Sequence, residues 1–211
     1  MGNEFKATLG AWIQAIGTVL SAIGNTPIKS VSEDTLENID IVGNELQATG
    51  NALEADAIKD PGNLTKIGNQ IQAIGNLAVM SGLMIDFNEV TKQELDIKGN
   101  LLQALGGSAA VADSLDEERT LDELLSIYGN ALQVIGNSLQ AVSGILELNN
   151  EDSGDLNVIG SWIQAVGSIL SALVQSQSCA PFSSVPASNL KDLNLSSKSD
   201  TFVMIMNSSV P

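Results

Sequence analysis

Twenty-five carboxylates, one thiol and no imidazole are the groups from which this chain of 211 residues could build acid–base, nucleophilic or metal chemistry. The missing imidazole removes the commonest general base and the commonest nitrogen ligand of metals. It also rules out a Ser–His or Cys–His nucleophilic pair. Cys179 stands alone, so neither an internal disulfide nor a cysteine zinc site can form. An intermolecular disulfide or a free thiol remains. The carboxylates gather where helices are expected to begin or meet, at Glu33-Asp34, Asp116-Glu117-Glu118, Asp122-Glu123 and Glu151-Asp152. Acids in a first turn answer the helix dipole, so capping accounts for them without catalysis. Asp152-Ser153-Gly154-Asp155 is too short for a calcium loop of the EF-hand type. The glycines, many of them seven residues apart, lack the Gly-Lys-Ser/Thr ending of a phosphate loop. The expectation is a protein without catalytic residues, cofactor or metal, and not an enzyme.

The elements that would position any site come from a repeat. Six segments share one phrase: GAWIQAIG from Gly10, GNELQATG from Gly43, GNQIQAIG from Gly68, GNLLQALG from Gly99, GNALQVIG from Gly129 and GSWIQAVG from Gly160. Their starts lie 33, 25, 31, 30 and 31 residues apart, the mark of a repeated supersecondary unit that needs neighbours to bury one side. Inside a copy the period is seven. Leu132, Ile135 and Leu139 fall at steps of three and four, as in the seam of packed helices. We expect helices near 4–24, 32–58, 63–86, 92–113, 121–148 and 155–176. Capping boxes are read at Ser30-x-x-Glu33, Thr91-x-x-Glu94 and Thr120-x-x-Glu123, and Pro27 and Pro61 punctuate the first two junctions. Short connections favour antiparallel neighbours. The fold class is therefore all-α: a six-helix antiparallel bundle or array in residues 1–176, followed by an irregular Ser/Pro-rich tail in 177–211. In the tail, Thr201–Met206 is apolar and β-branched enough to read as a short strand.

Glycine costs a helix interior about 1 kcal/mol against alanine, so a helix that keeps several should gain close packing in return. Gly10, Gly17, Gly68, Gly75, Gly129, Gly136, Gly160 and Gly167 are the expected close-packing positions, flanking a seam of aliphatics taken as the core side. The opposite side would then carry Asn, Gln, Ala and Ser instead of the usual Lys and Glu. No charge occurs in 7–28, 67–85, 124–146 or 156–190.

Uncharged helix middles suit either a membrane or burial inside an assembly. Amides in a single turn, such as Asn69, Gln70 and Gln72, weigh against hydrocarbon, whereas like amide faces can pair because each both donates and accepts. The sequence therefore points first to a structural, self-assembling homo-oligomer, such as a filament or sheet subunit. A membrane-inserting or pore-forming protein is the alternative, and a soluble binding module a second one, for which no small-molecule ligand is indicated. Trp12 and Trp162 in the two most alike copies, with Phe202, Val203 and Ile205 of the tail strand, are the expected assembly contacts. The net charge of −16, with nine Lys and Arg, excludes nucleic acid as a partner. Glu4 and Lys6 do not form the basic start of a secretory signal, so the chain is expected in the cytoplasm at synthesis.

The phrase IGNQIQAIGN, echoed in IYGNALQVIGNSLQAV and VGNELQATGNAL, resembles the repetitive, functionally uncharacterised helical proteins of spore-forming bacilli. The likeness covers about residues 7–175. It implies a bacterial host and association with sporulation, and it brings no catalytic or binding residues with it.

Overall fold

The computed structural model describes residues 2–115 and 120–179. They form six helices: α1 (Asn3–Gly24), α2 (Glu33–Ala57), α3 (Leu64–Met84), α4 (Glu89–Leu115), α5 (Leu121–Leu148) and α6 (Leu156–Cys179). The tail strand and its Phe202, Val203 and Ile205 lie outside the described residues, as does the side chain of Cys179.

Local chemistry sets the starts. Ser32 caps α2 by accepting from the Thr35 amide at 3.3 Å, Asn63 caps α3 through Lys66 at 2.9 Å, and Thr120 caps α5 through Glu123 at 3.1 Å. Two of the expected capping boxes move. The cap of α2 is Ser32 rather than Ser30. The α4 helix begins at Glu89 because Asn88 accepts from the Thr91 amide at 3.0 Å, which leaves Thr91 inside the helix. Between α5 and α6 the chain reverses through Asn150 and Gly154, both with positive φ.

Each helix packs on its neighbours in the chain, and α6 returns to α1, so the bundle is a closed ring. Backbones across the ring stay apart among the described residues. Neighbours are antiparallel: Gly10 faces Gly50 and Gly17 faces Gly43; Gly68 faces Gly106 and Gly75 faces Gly99; Gly129 faces Gly167 and Gly136 faces Gly160. The ring is thus three hairpins, α1–α2, α3–α4 and α5–α6, each closed by paired glycines. A Cβ on Gly17 would lie 2.6 Å from the Gly43 carbonyl oxygen and 2.8 Å from the Gln47 nitrogen. One on Gly136 would lie 2.5 Å from the Gly160 oxygen. Both obstacles are backbone and cannot rotate away.

Such close approach decides what can face inward. Buried positions are held by Gly, Ala, Ser, Thr, Asn and Gln, and the buried apolar residues are mostly alanines, with Leu36, Val79, Ile97 and Val174 the larger ones. The aliphatics lie outward. Ile16, Ile74, Leu105, Ile135 and Val166 are each about half exposed or more. This reverses the faces inferred from the sequence: Ile135 is on the outside, Leu132 and Leu139 are half-buried at its flanks, and Gln133, Gly136 and Asn137 are the core. The reason is volume, since Leu and Ile cannot fit where backbones touch, whereas small residues can.

Gly17→Ala and Gly136→Ala are therefore expected to lower stability by about 1–3 kcal/mol through overpacking, despite alanine's better helix propensity. Gly62→Ala, in a loop with only Asp60 near, should be close to neutral. Thermal unfolding followed by circular dichroism reads all three.

Candidate functional site

Gln is the only polar side chain present in all six copies of the repeat, at Gln14, Gln47, Gln72, Gln103, Gln133 and Gln164. The seven-residue period and the glycine pairing turn every one of them to the axis of the ring, and all six are at most 5 % exposed.

They sort into two layers. Gln164 of α6 donates to Gln47 of α2 at 2.9 Å and to Gln103 of α4 at 3.1 Å, joining the even-numbered helices across the ring. Gln14 of α1 donates to Gln133 of α5 at 3.0 Å, joining two odd-numbered helices, and Gln72 of α3 holds the third position and donates to Asn69 at 3.5 Å. The side chains one heptad further along the odd helices, Ser21 and Gln140, extend the even layer. Gln47 donates to Ser21 at 2.9 Å and Gln140 donates to Gln164 at 3.0 Å. The Gln164 amide is thus a hub of three hydrogen bonds, sealed from water. Amides suit this place because each supplies two donors and an acceptor oxygen, so a ring of identical groups can satisfy itself.

One heptad before Gln47 and Gln103 stand Asp40 and Asp96, at one end of the axis. Asn44 donates to Asp40 at 3.0 Å and Asn100 donates to Asp96 at 3.0 Å. These two acids and the even Gln layer surround a cavity of about 10 Å³, the room of a single water. One heptad beyond Gln47 stands Glu54, at the other end. Glu54 is only partly covered as a residue, but its Oε1 is sealed and finds no partner among the described residues. Here the axis opens into a wider cavity of about 270 Å³, bordered by Glu4, Glu54, Thr65, Asn69 and Gln175. No Lys or Arg lines either cavity. No group of three or more His, Cys, Asp or Glu that could hold a metal ion occurs among the described residues.

The three seams between hairpins differ. At α6–α1, Thr18 meets Ser168 in a buried hydroxyl pair at 2.5 Å. The same seam carries both indoles: Trp12 Nε1 donates to Ser176 at 2.7 Å and Trp162 Nε1 donates to Thr26 at 3.0 Å. Each indole nevertheless keeps more than a third of its surface exposed. The two lie near opposite ends of the seam, about 20 Å apart along α1 at 1.5 Å per residue.

Sequence reasoning placed the glycines at helix contacts and treated the glutamines as an outer face. The clue to their place was in the repeat itself, since a side chain kept in six copies answers to a shared environment. Gln164→Leu is expected to lower stability by at least about 2 kcal/mol, because it leaves the Gln47 and Gln103 oxygens buried and unpaired. Gln70→Leu, on the exposed side of α3, should change stability by no more than about 0.5 kcal/mol. Unfolding by heat or denaturant separates the two.

No curated protein and no solved structure matches the chain. A family profile covers residues 5–172, which takes in the ring from the first turn of α1 well into α6. The chain therefore belongs to a family of unknown function, DUF6944.

Proposed function

We propose that this protein works as a membrane-inserted six-helix bundle whose aliphatic exterior meets lipid and whose amides line the interior. The observation that carries this reading is the distribution of polarity: the amides are inside, with glutamines bonded to one another, and the large aliphatics are outside. In water such a surface would expose apolar patches all round the ring, which is costly for a monomer. In a bilayer the same arrangement is favoured, because polar groups belong in the bundle interior and helix contacts are made by small residues.

Helix lengths support the reading. By length and composition, α1 and α6 are apolar enough to cross a bilayer. Their 22 and 24 residues span about 33 and 36 Å, against a hydrocarbon core of about 30 Å. The middles of α3 and α5 are also free of charge, over 67–85 and 124–146. Their mean hydropathy is reduced by the Gln, Asn and Gly of the inner face, which would never touch lipid. Of the amides that weighed against a membrane in the sequence, Asn69 and Gln72 are turned inward and Gln70 stays on the outer face. Most acids and lysines stand toward the two ends of the ring, where water would be, with Glu45 of α2 and the Glu94–Lys98 pair of α4 further in, and the partly exposed indoles sit near the levels where interfacial Trp is favoured.

Self-assembly is supported by a separate observation. On α2 the outward residues are Val42, Glu45, Thr49 and Ala52, so this helix carries in mid-span a charge unpaired among the described residues, and little apolar bulk, whereas the outward Lys98 of α4 is paired with Glu94. Hydrocarbon disfavours that face, and a second copy of the chain covering it would make the protein a homo-oligomer within the membrane. A role in spores, implied by the resemblance of the repeat, would place these assemblies in a bacterial membrane of that developmental stage.

Purified full-length protein is expected to float with phosphatidylcholine–phosphatidylglycerol liposomes and to resist extraction by alkaline carbonate. Protein that stays monodisperse in detergent-free buffer and does not float would overturn the membrane reading. Ile74→Lys with Ile135→Lys puts charges on the exterior at mid-span, each costing about 2.5–3.5 kcal/mol on insertion scales. This variant should lose flotation while keeping its helicity in mild detergent. Cross-linking in liposomes tests the α2 contact: wild type should yield dimers that Glu45→Lys abolishes.

A further inference from the structure

We propose that the axis of the ring is a closed path for monovalent cations, with the two glutamine layers as its plug; this rests on the membrane reading above. The two cavities lie toward opposite ends of the ring. The first, at the Asp40–Asp96 end, is bordered by all six helices and abuts Gln47, Gln103 and Gln164. The second, at the Glu54 end, is bordered by Ala7 of α1, Glu54 of α2 and Thr65 of α3. These are the residues one heptad outward from Gln14, Gln47 and Gln72, so this cavity continues the same axis. What separates the two is the pair of glutamine layers, Gln47–Gln103–Gln164 and Gln14–Gln72–Gln133.

The chemistry of the path selects the ion. Both necks carry carboxylates, Asp40 and Asp96 at one and Glu54 at the other, and neither cavity is lined by a cation. Carboxyl oxygens at the necks and rings of amide oxygens between them can replace part of a cation's hydration shell. The acids are too few and too spread to hold a divalent ion tightly, since no group of three gathers among the described residues. A path needs such weak, serial contacts, because an ion that binds tightly does not leave.

In the present state the plug is shut by its own hydrogen bonds. The Gln164 hub and the Gln14–Gln133 pair cross the axis at 2.9–3.1 Å. Opening exchanges amide–amide bonds for amide–water and amide–ion bonds. That exchange conserves hydrogen bonding and needs no movement of the glycine-locked backbones. Glu54, whose Oε1 has no partner in the closed state, is the group placed to meet an ion entering from its side.

The test uses full-length protein in phosphatidylcholine vesicles, with insertion verified by flotation for every variant. Potassium efflux is read against chloride efflux, and reversal potentials are taken in planar bilayers under a potassium chloride gradient. Shortening the plug with Gln14→Ala and Gln164→Ala should raise potassium flux severalfold over wild type, with a reversal potential on the cation side. Adding Asp40→Asn, Asp96→Asn and Glu54→Gln should abolish the cation preference while flux persists. Should the double alanine variant fail to insert, Gln164→Asn shortens the hub by one methylene and is expected to raise flux in the same direction. Inserted protein whose plug variants carry no more current than wild type, or that passes chloride as readily as potassium, overturns the path and leaves the membrane reading standing. Protein that does not float overturns both.

Discussion

Backbone contact at paired glycines is the constraint on which the rest of this structure depends. At Gly17–Gly43, Gly75–Gly99 and Gly136–Gly160, two helices come so close that a single methyl group would strike a carbonyl oxygen. Once the hairpins are drawn together in this way, large side chains cannot occupy the inner face. Small and planar polar groups take their place, and the aliphatics are displaced outward. The inversion of polarity is therefore not a separate feature of the fold; it follows from the spacing between helices.

The amides then do what a hydrophobic core does elsewhere, by a different means. A core of Leu and Ile gains from leaving water and is tolerant of exact partners. A core of Gln and Asn gains little unless every donor finds an acceptor, since a buried unpaired amide is costly. Gln164 meets this demand by bonding to three helices at once, and so ties the hairpins to one another in a fixed register, whereas the side-chain amides of Asn51 and Asn76 are buried without a partner among the described residues. The glycines hold each hairpin closed; the glutamines hold the three hairpins in a ring.

Pseudo-threefold symmetry within a single chain explains why the copies are alike and where they differ. The α6–α1 seam, where the ring closes, carries Thr18 and Ser168 where other copies have Asn51, Asn76 and Asn137, together with the two indoles. It is the seam with no connecting loop, and the hydroxyl pair and the Trp–Ser and Trp–Thr bonds supply the closure that a loop gives elsewhere. The first and last copies therefore resemble each other because they meet.

The sequence by itself determined six helices, their approximate limits and their antiparallel order, because the seven-residue period, the capping residues and the short junctions are local signals. It also marked the glycines as contact positions, since their cost in a helix interior calls for a compensating contact. Only the tertiary structure decided which face is inside. In α1, α3, α5 and α6 neither side carries charge in its middle, so the usual contrast between an apolar inner face and a charged outer face is missing, and the ordinary rule assigned Leu132, Ile135 and Leu139 to the core. Distance between backbones settled the matter, and no local pattern encodes that distance. The Asp40–Asp96 and Glu54 necks were hidden for the same reason. They occupy the glutamine register one heptad away, and that register acquires meaning only when six helices turn it toward a common axis.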